Sequence, residues 1–355
     1  MLLEELGYNK SLEEFRKTNN LEGFEVGRVV IEHKERYIVK TENGEYEAEI
    51  VGHIRFTAVS REDYPAVGDW VALSVFDSNF GVIHKIYPRR SVIKRQAIGH
   101  NSDIQIIATN IDYAFLVQAV DRDFNINRLE RYLTICYTSK VEPIIILTKC
   151  DLIDEQEINR ITENVNARIE NIPVMAISNQ TQFGYESIKS IIKKGKTYCM
   201  LGSSGVGKST LLNNLSGKQV MKTGSISQST SKGKHVTSHR ELIILDSGGI
   251  LIDNPGMREV GIADSASGLE KTFDRIYELS QHCKYVDCTH MHEVGCAVTE
   301  AVEQGELDEG TYQNYIKLEK EKKHFETTLA DKRRHEKIFG KIIKKYKQDM
   351  GKYED

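Results

Sequence analysis

No apolar run in the sequence approaches the length needed to cross a bilayer, about 20 consecutive residues. That argues against a helical integral membrane protein and against a membrane partner. No secretory leader is expected, since Met1-Leu-Leu-Glu-Glu-Leu-Gly7 carries acids where a signal peptide has a basic lead. The expected compartment is the cytoplasm. Excess positive charge is lacking too: 48 Lys and Arg stand against 52 Asp and Glu, a formal net charge of −4. A uniformly basic nucleic-acid binder is thereby disfavoured, although an average can hide a basic segment. Cysteine is sparse, with six residues that are not spread like a disulfide framework. Cys136, Cys150 and Cys199 lie in apolar segments and are expected to be reduced core thiols. The other three cluster around His290.

What the sequence does contain is Gly202-Ser-Ser-Gly-Val-Gly-Lys-Ser209, followed by Thr210. The preceding run Tyr198-Cys-Met-Leu201 reads as a short buried strand. Ser209 to Leu215 opens a helix with Leu211, Leu212 and Leu215 on one face. A glycine-rich turn between strand and helix is a phosphate cradle. Gly202, Gly205 and Gly207 let the backbone approach, and the loop N–H groups, with Ser203, Ser204 and Val206 among them, face the phosphates. The helix N-terminus adds partial positive charge. Lys208 is placed to reach the β- and γ-phosphates, and Ser209 to hold Mg²⁺. The pattern specifies a nucleoside triphosphate but not its base.

A chain of 355 residues has room for roughly two or three domains. Residues 1–22 read as a short amphipathic or loosely ordered N-terminal extension. Residues 23–97 read as all-β: Val26 to Ile31, Arg36 to Lys40, an Asn43-Gly44 hairpin signal, Tyr46 to Val51, Val67 to Ser74 and Gly81 to Ile86. Such short strands fit a small closed barrel, the OB-fold, which commonly binds nucleic acid. It ends in the basic stretch Arg89-Arg90-Ser-Val-Ile-Lys94-Arg95, equally explained by RNA contact or a solvated linker. Residues 98–265 change to alternating strands and helices, the rhythm of a covered parallel sheet. The apolar runs Asp103 to Ala108 and Tyr113 to Val117, a helix over Asn125 to Tyr137 and the strand Pro143 to Leu147 carry it.

That last strand runs into Thr148-Lys149-Cys150-Asp151, which resembles the Asn-Lys-x-Asp guanine-recognition motif with Thr in first place. An aspartate can accept both N1–H and the N2 amino group of guanine, a donor pair adenine lacks. The lysine stem covers the base. Thr148 can still bond to neighbouring loops. Beside a complete phosphate loop the motif disfavours an ATPase or small-molecule kinase. The strand Val174 to Ser178 ends in Ser178-Asn179-Gln180, a partial match to the Ser-Ala-x that contacts guanine O6. Asp151 precedes Lys208, the reverse of the ordinary order, so the expected α/β P-loop GTPase domain is circularly permuted. After the phosphate loop come a polar stretch, Thr223 to His239, suited to a switch loop, and a hairpin delivering Asp253-Asn-Pro-Gly256. Asp253 would hold Mg²⁺ through water, and the Gly256 N–H would sense the γ-phosphate. Met257 stands where Ras-like GTPases place a water-orienting glutamine, and methionine cannot do that work. His235 is the internal candidate to replace it, with a plain loop histidine as the alternative.

Together, Arg89-Arg-Ser91, Thr148–Asp151, Gly202–Thr210, Gly233-Lys-His-Val-Thr-Ser238 and Asp253–Gly256 resemble the ribosome small-subunit-dependent GTPase A family, circularly permuted GTPases of small-subunit biogenesis. The family usually shows Gly-Arg-His-Thr-Thr-Thr in the fourth motif. Here Lys234, Val236 and Ser238 depart from it, and Thr237 remains the candidate for the switch I threonine on Mg²⁺. The resemblance also implies one structural zinc. Cys283, Cys288, His290 and Cys296 carry its spacing and leave no open position, with His282 and His292 as bystanders. Residues 266–355 are then a helical zinc-binding domain with a basic tail, Lys332 to Lys347, suited to RNA. The implied function is GTP hydrolysis to GDP and phosphate, stimulated by the 30S subunit during its late maturation, by a monomer contacting rRNA. A nucleotide-gated RNA-binding module with incidental hydrolysis is the alternative.

Overall fold

The computed structural model describes residues 2–33, 36–76, 79–96, 104–121, 124–217, 240–253, 266–324 and 326–327. A 3-10 turn over Leu3–Leu6 leads into α1 (Lys10–Thr18), whose first turn is capped by Asn9 accepting the Leu12 N–H at 3.2 Å. Leu6, Leu12 and Leu21 are buried with Val26, Trp70 and Tyr87. The start of the chain is therefore packed against the neighbouring β unit rather than loose.

Strands β1 (Glu25–His33), β2 (Arg36–Thr41) and β3 (Glu45–Ile50), the helix α2 (Gly52–Thr57), and strands β4 (Trp70–Val75) and β5 (Phe80–Ile86) form that unit. β1 pairs antiparallel with both β2 and β4, β3 runs parallel to β5, and β4 pairs antiparallel with β5. The five strands thus close on themselves as an OB-like barrel. Alternate residues, Val29, Val39, Ala48, Val71, Leu73 and Ile83, fill its interior. The β2–β3 turn falls at Asn43-Gly44, with the Thr41 N–H donating to Gly44 O at 2.8 Å.

Val67 to Asp69, expected as strand, is a docking loop. The Thr109 N–H donates to Val67 O at 3.0 Å, and Asn110 Nδ2 donates to Gly68 O at 3.0 Å. The basic stretch after the barrel is also bound into the fold. Arg89 bonds the buried Asp69 at 2.6 Å and the Glu62 and Tyr64 carbonyls at 2.5 and 2.6 Å. Arg90 pairs with Asp112 at 2.8 Å, and Lys94 with Glu62 at 2.9 Å. Arg89 thus serves a joint within the protein, whereas Arg90 and Lys94 pair with acids while their side chains stay 53% and 38% exposed.

β6 (Val92–Gln96) and β7 (Ile104–Thr109) form a separate antiparallel hairpin. The run to Ala108, expected to open the parallel sheet, lies in this hairpin instead. Asn110, at φ 55°, turns the chain straight after β7, and its side chain accepts the Arg90 N–H at 2.9 Å, holding β7 beside the barrel exit. The boundary expected between residues 97 and 98 lies outside the described residues, in the connection of this hairpin.

Beyond it come β8 (Tyr113–Ala119), α3 (Ile126–Thr138), β9 (Glu142–Thr148), α4 (Glu155–Arg168), β10 (Val174–Ala176), α5 (Tyr185–Ile191), β11 (Thr197–Leu201), α6 (Lys208–Ser216), β12 (Arg240–Ile244) and β13 (Ile250–Asp253). The order β10-β9-β8-β11-β13 is parallel, and β12 adds antiparallel. Apolar residues of α3 and α4, such as Leu129, Leu133 and Val165, cover one face with Leu116 and Leu147. Tyr185, Ile188, Leu211 and Leu212 of α5 and α6 cover the other with Phe115 and Tyr198. β12 also pairs with β1 through Ile31 and Glu32, so one sheet runs from the α/β unit into the barrel.

Among the described residues, helices α7 (Ala266–Thr272), α8 (Asp274–Ser280), α9 (Ala297–Glu303) and residues 309–324 then pack around Leu269, Phe273, Ile276, Tyr315 and Leu318. They dock on α3 and α4. Buried Glu130 accepts Arg168 at 2.8 and 2.9 Å and Asn314 Nδ2 at 2.5 Å, and Arg131 pairs with Glu321 at 2.5 Å. Among the described residues no helix is long and apolar enough to cross a membrane.

Arg28, 1% exposed, ties three segments together. Its guanidinium donates to Leu6 O at 2.6 Å, Gly68 O at 3.2 Å and Asn110 O at 3.2 Å, and lies 5.5 Å from the Trp70 ring centre. Burial lowers its pKa to about 10, which leaves it charged at neutral pH. Replacing it strands buried carbonyls, each worth about 1–3 kcal/mol. Arg28→Leu should therefore lower the stability of the barrel by about 3 kcal/mol. Arg28→Lys should recover less than half, because one ammonium cannot reach three carbonyls set around a planar fork. Trp70 is the sole tryptophan, so its fluorescence in a urea titration reads this joint directly.

Candidate functional site

The parallel strands end at one edge, where open α/β sheets bind their ligands. β11, buried throughout, delivers Gly202 to Gly207, and α6 begins at Lys208. Gly205 and Gly207 hold φ of 79° and 96°, which turns the loop back on itself. A Cβ on Gly202 would stand 2.3 Å from Val117 O, so only glycine lets the loop leave the sheet there. Lys208 Nζ folds over this loop, donating to Gly202 O at 2.7 Å and Ser203 O at 2.5 Å. Ser204 and Gly205 form the exposed crown, Val206 is buried beneath it, and Ser209 and Thr210 follow in the first turn of the helix.

β9 brings Thr148 to Asp151 to the same edge, two strands away across β8. Lys149 sits in the left-handed region at φ 62°, and its ammonium pairs with Asp121 at 2.8 Å. Asp151 is exposed, and one of its oxygens accepts Ser178 Oγ at 2.6 Å. Ser178 Oγ in turn accepts the Gln180 and Thr181 N–H groups at 3.2 and 3.1 Å. Cys150 is a buried spacer whose thiol burial pushes up to about 11, ruling out thiolate chemistry at neutral pH.

The two loops are joined by side chains. Thr148, fully buried, donates from Oγ1 to Val206 O at 2.6 Å, so the threonine found in place of asparagine still reaches the phosphate loop. Asn179 Nδ2 donates to Gly207 O at 3.0 Å, a contact that the sequence pattern did not single out. β13 ends at Asp253, one residue beyond Ile252, which pairs with Cys199 of the phosphate-loop strand. His235, Thr237, Gly256 and Met257 lie outside the described residues, as do Lys332 to Lys347.

Cys283, Cys288, His290 and Cys296 form a second cluster, their ligating atoms within 4.8 Å of one another. Sγ of Cys283 lies 3.9 Å from Sγ of Cys296 and 3.6 Å from Nδ1 of His290, which is 3.4 Å from Sγ of Cys296. A tetrahedral ion with metal–sulfur bonds of about 2.3 Å and metal–nitrogen bonds of about 2.0–2.1 Å has edges of about 3.6–3.8 Å. The four residues fit that geometry. Burial lowers the His290 pKa, which favours the neutral imidazole a metal needs. Glu293, absent from the spacing pattern, organises the loop. Its carboxylate accepts the Thr289 hydroxyl and the Thr289, Met291 and His292 N–H groups at 2.9 to 3.1 Å, which hold it well below the usual carboxylate range. Tyr312 OH fixes the His290 carbonyl at 2.7 Å.

A parallel sheet with a phosphate loop on its central strand and a guanine-type motif earlier in the chain defines a circularly permuted P-loop GTP hydrolase. Residues 86–263 match the family model of the RsgA GTPase. The small ribosomal subunit biogenesis GTPase RsgA 1 of Bacteroides thetaiotaomicron is 38% identical over 344 residues, covering 96% of each chain. The protein of the same name from Oceanobacillus iheyensis is 42% identical over 316 residues, covering 88% of this chain and 90% of its own. The crystal structure of YjeQ from Thermotoga maritima superposes with a TM-score of 0.60 at 26% identity, covering 83% of this chain and 96% of that one. YloQ, a circularly permuted GTPase, superposes with a TM-score of 0.60 at 27% identity, covering 85% of this chain and 96% of its own. The chain belongs to the RsgA GTPase family.

Gly207 gives the sharpest test of the loop. A Cβ there would meet Asn179 Nδ2 at 2.5 Å, in a left-handed conformation that costs a non-glycine residue about 1–2 kcal/mol. Gly207→Ala should leave the barrel's unfolding midpoint unchanged while GTP no longer raises the melting temperature of the α/β unit. Thermal scans with and without GTP check this.

Proposed function

We propose that this protein hydrolyses GTP to GDP and phosphate while bound to the small (30S) ribosomal subunit, assisting its late maturation, with the ribosome raising the rate. The observation that carries this reading is the junction of Thr148–Asp151 with Gly202–Ser209 at one sheet edge. The names of its relatives supply the partner. Asp151 accepts the guanine N1–H and N2 amino protons, Ser178 contacts O6, and the Lys149 stem lies over the base. The loop N–H groups and Lys208 hold the phosphates. Magnesium, when bound, neutralises charge on the β- and γ-phosphate oxygens. Ser209 and Thr237 would hold it directly, Asp253 through water, and Gly256 would contact the γ-phosphate. His235 orients the attacking water in place of the glutamine that Met257 displaces. Ordering by the ribosome is what gives that imidazole a near-attack geometry. The OB-like barrel, the helical domain and the basic tail would contact rRNA. The protein acts in the cytoplasm as a monomer.

The rate should be slow for the isolated protein and strongly stimulated by 30S subunits. His235→Ala should keep GTP affinity and lose most of that stimulation, while Met257→Ala changes it far less. Single-turnover hydrolysis with and without 30S subunits measures both. An unchanged wild-type rate would overturn the ribosome-activated reading, leaving a nucleotide-gated RNA-binding module.

On the same reading Cys283, Cys288, His290 and Cys296 would hold one structural zinc, which would crosslink the loop before α9 and contribute to folding. Freshly purified, chelator-free protein should carry one zinc per chain. Cys288→Ser should lose it and raise hydrogen exchange after about residue 266, with exchange in the barrel unchanged. Metal analysis finding no zinc in the wild type would exclude the assignment.

A further inference from the structure

We propose that Asn179 is a positioning residue for the phosphate loop, supplying the amide donor that Thr148 lacks. The inference rests on Asp151 and Gly202–Ser209 forming the GTP site. Thr148 has one hydroxyl proton, spent on Val206 O at 2.6 Å. The next carbonyl, that of Gly207, accepts the Leu211 N–H at 2.9 Å as the first bond of α6 and takes Asn179 Nδ2 at 3.0 Å as a second, lateral donor. The orientation of that amide is fixed by its neighbours. Asn214 Nδ2 donates to Tyr185 OH at 2.9 Å, so the Tyr185 proton points to Asn179 Oδ1 at 2.7 Å, and Nδ2 must face Gly207. Asn214 Nδ2 also donates to Asn179 O at 3.1 Å. Asn179 therefore grips α6 at its first turn through Gly207 and at its second through Asn214. Tyr185 is buried in the core between these elements, and burial pushes its pKa up to about 12, keeping the hydroxyl protonated as a donor.

Its neighbour Ser178 holds Asp151 at 2.6 Å, so one short segment touches both the base-reading carboxylate and the turn that begins the phosphate cradle. Gly207 O anchored from the side leaves the loop N–H groups facing the phosphates. Without Asn179 that carbonyl keeps its helical bond to the Leu211 N–H but loses the sideways tie to the Ser178–Asn179 segment, so more of the ordering of the cradle falls to the nucleotide. The cost falls on phosphate binding and not on base binding.

The test compares GTP with guanosine, which shares the base and has no phosphate. Asn179→Ala should weaken GTP binding by about 10-fold, the worth of one such hydrogen bond, and leave guanosine competition unchanged. Asn179→Asp, isosteric but presenting an acceptor to Gly207 O, should be worse than alanine. Thr148→Asn combined with Asn179→Ala restores an amide beside the loop and should return GTP affinity to within about 3-fold of wild type. Equal loss for GTP and guanosine, or no recovery in the double variant when its melting temperature matches wild type, would overturn the proposal. Unaltered GTP affinity in Asn179→Ala would overturn it while leaving the GTP site intact. A wild type that binds no GTP would overturn both.

Discussion

A guanidinium buried without a carboxylate partner constrains everything around it. Among the described residues only carbonyls satisfy Arg28, and they come from the N-terminal turn, the barrel loop and the β7–β8 turn. A buried cation with unmet donors is far costlier than an assembled joint, so the three segments hold together or fail together. Asp69, fully buried and paired with Arg89, locks the same loop from its other side. The sheet continuing from β12 into β1 adds a backbone seam. The barrel is thus set in a fixed pose against the α/β sheet, and the nucleotide edge keeps one orientation toward whatever the barrel contacts.

The parts of this design that could be read in the sequence are those where backbone chemistry demands particular residues at fixed spacing. Gly202, Gly205 and Gly207 are where the phosphate loop must turn or pass close to Val117. Asn43-Gly44 closes its hairpin, and three cysteines with His290 converge as their spacing implies. Even Thr148, a departure from the usual motif, kept its meaning because any hydroxyl at that point can reach Val206 O.

The parts that could not be read are pairings distant in sequence. Arg89 reads as a solvated or RNA-facing base until Asp69, twenty positions earlier, is seen against it. Val67-Gly-Asp reads as strand because its composition is that of the β4 strand it precedes, yet Thr109 and Asn110 claim its carbonyls. Ile104 to Thr109 has the apolar character of a parallel-sheet strand, but Asn110 turns the chain before it can enter that sheet. Asn179 sits in a polar loop whose composition carries no sign that Gly207 is its partner, and Glu293 looks like any surface acid. Arg89, Asn110 and Asn179 each take a backbone group twenty or more positions away, a long-range event with no local period, whereas Glu293 works within four residues and is hidden only by its ordinary composition.

Permutation also decides where the chain leaves the nucleotide site. In the ordinary order the base-reading motif closes the domain. Here that motif is internal, and the chain leaves through β13 at Asp253, beside the phosphate-loop strand. The segment carrying His235 and Thr237 is bounded by α6, which begins at the end of the glycine-rich loop, and by β12, which pairs with β1 of the barrel. The segment carrying Gly256 and Met257 is bounded by β13 and by α7. Thr272 of α7 bonds to Thr134 of α3 at 3.1 Å, and Lys271 of α7 lies 4.2 Å from the Tyr137 ring. The groups expected to meet the γ-phosphate are therefore spliced between the nucleotide edge and the two flanking modules.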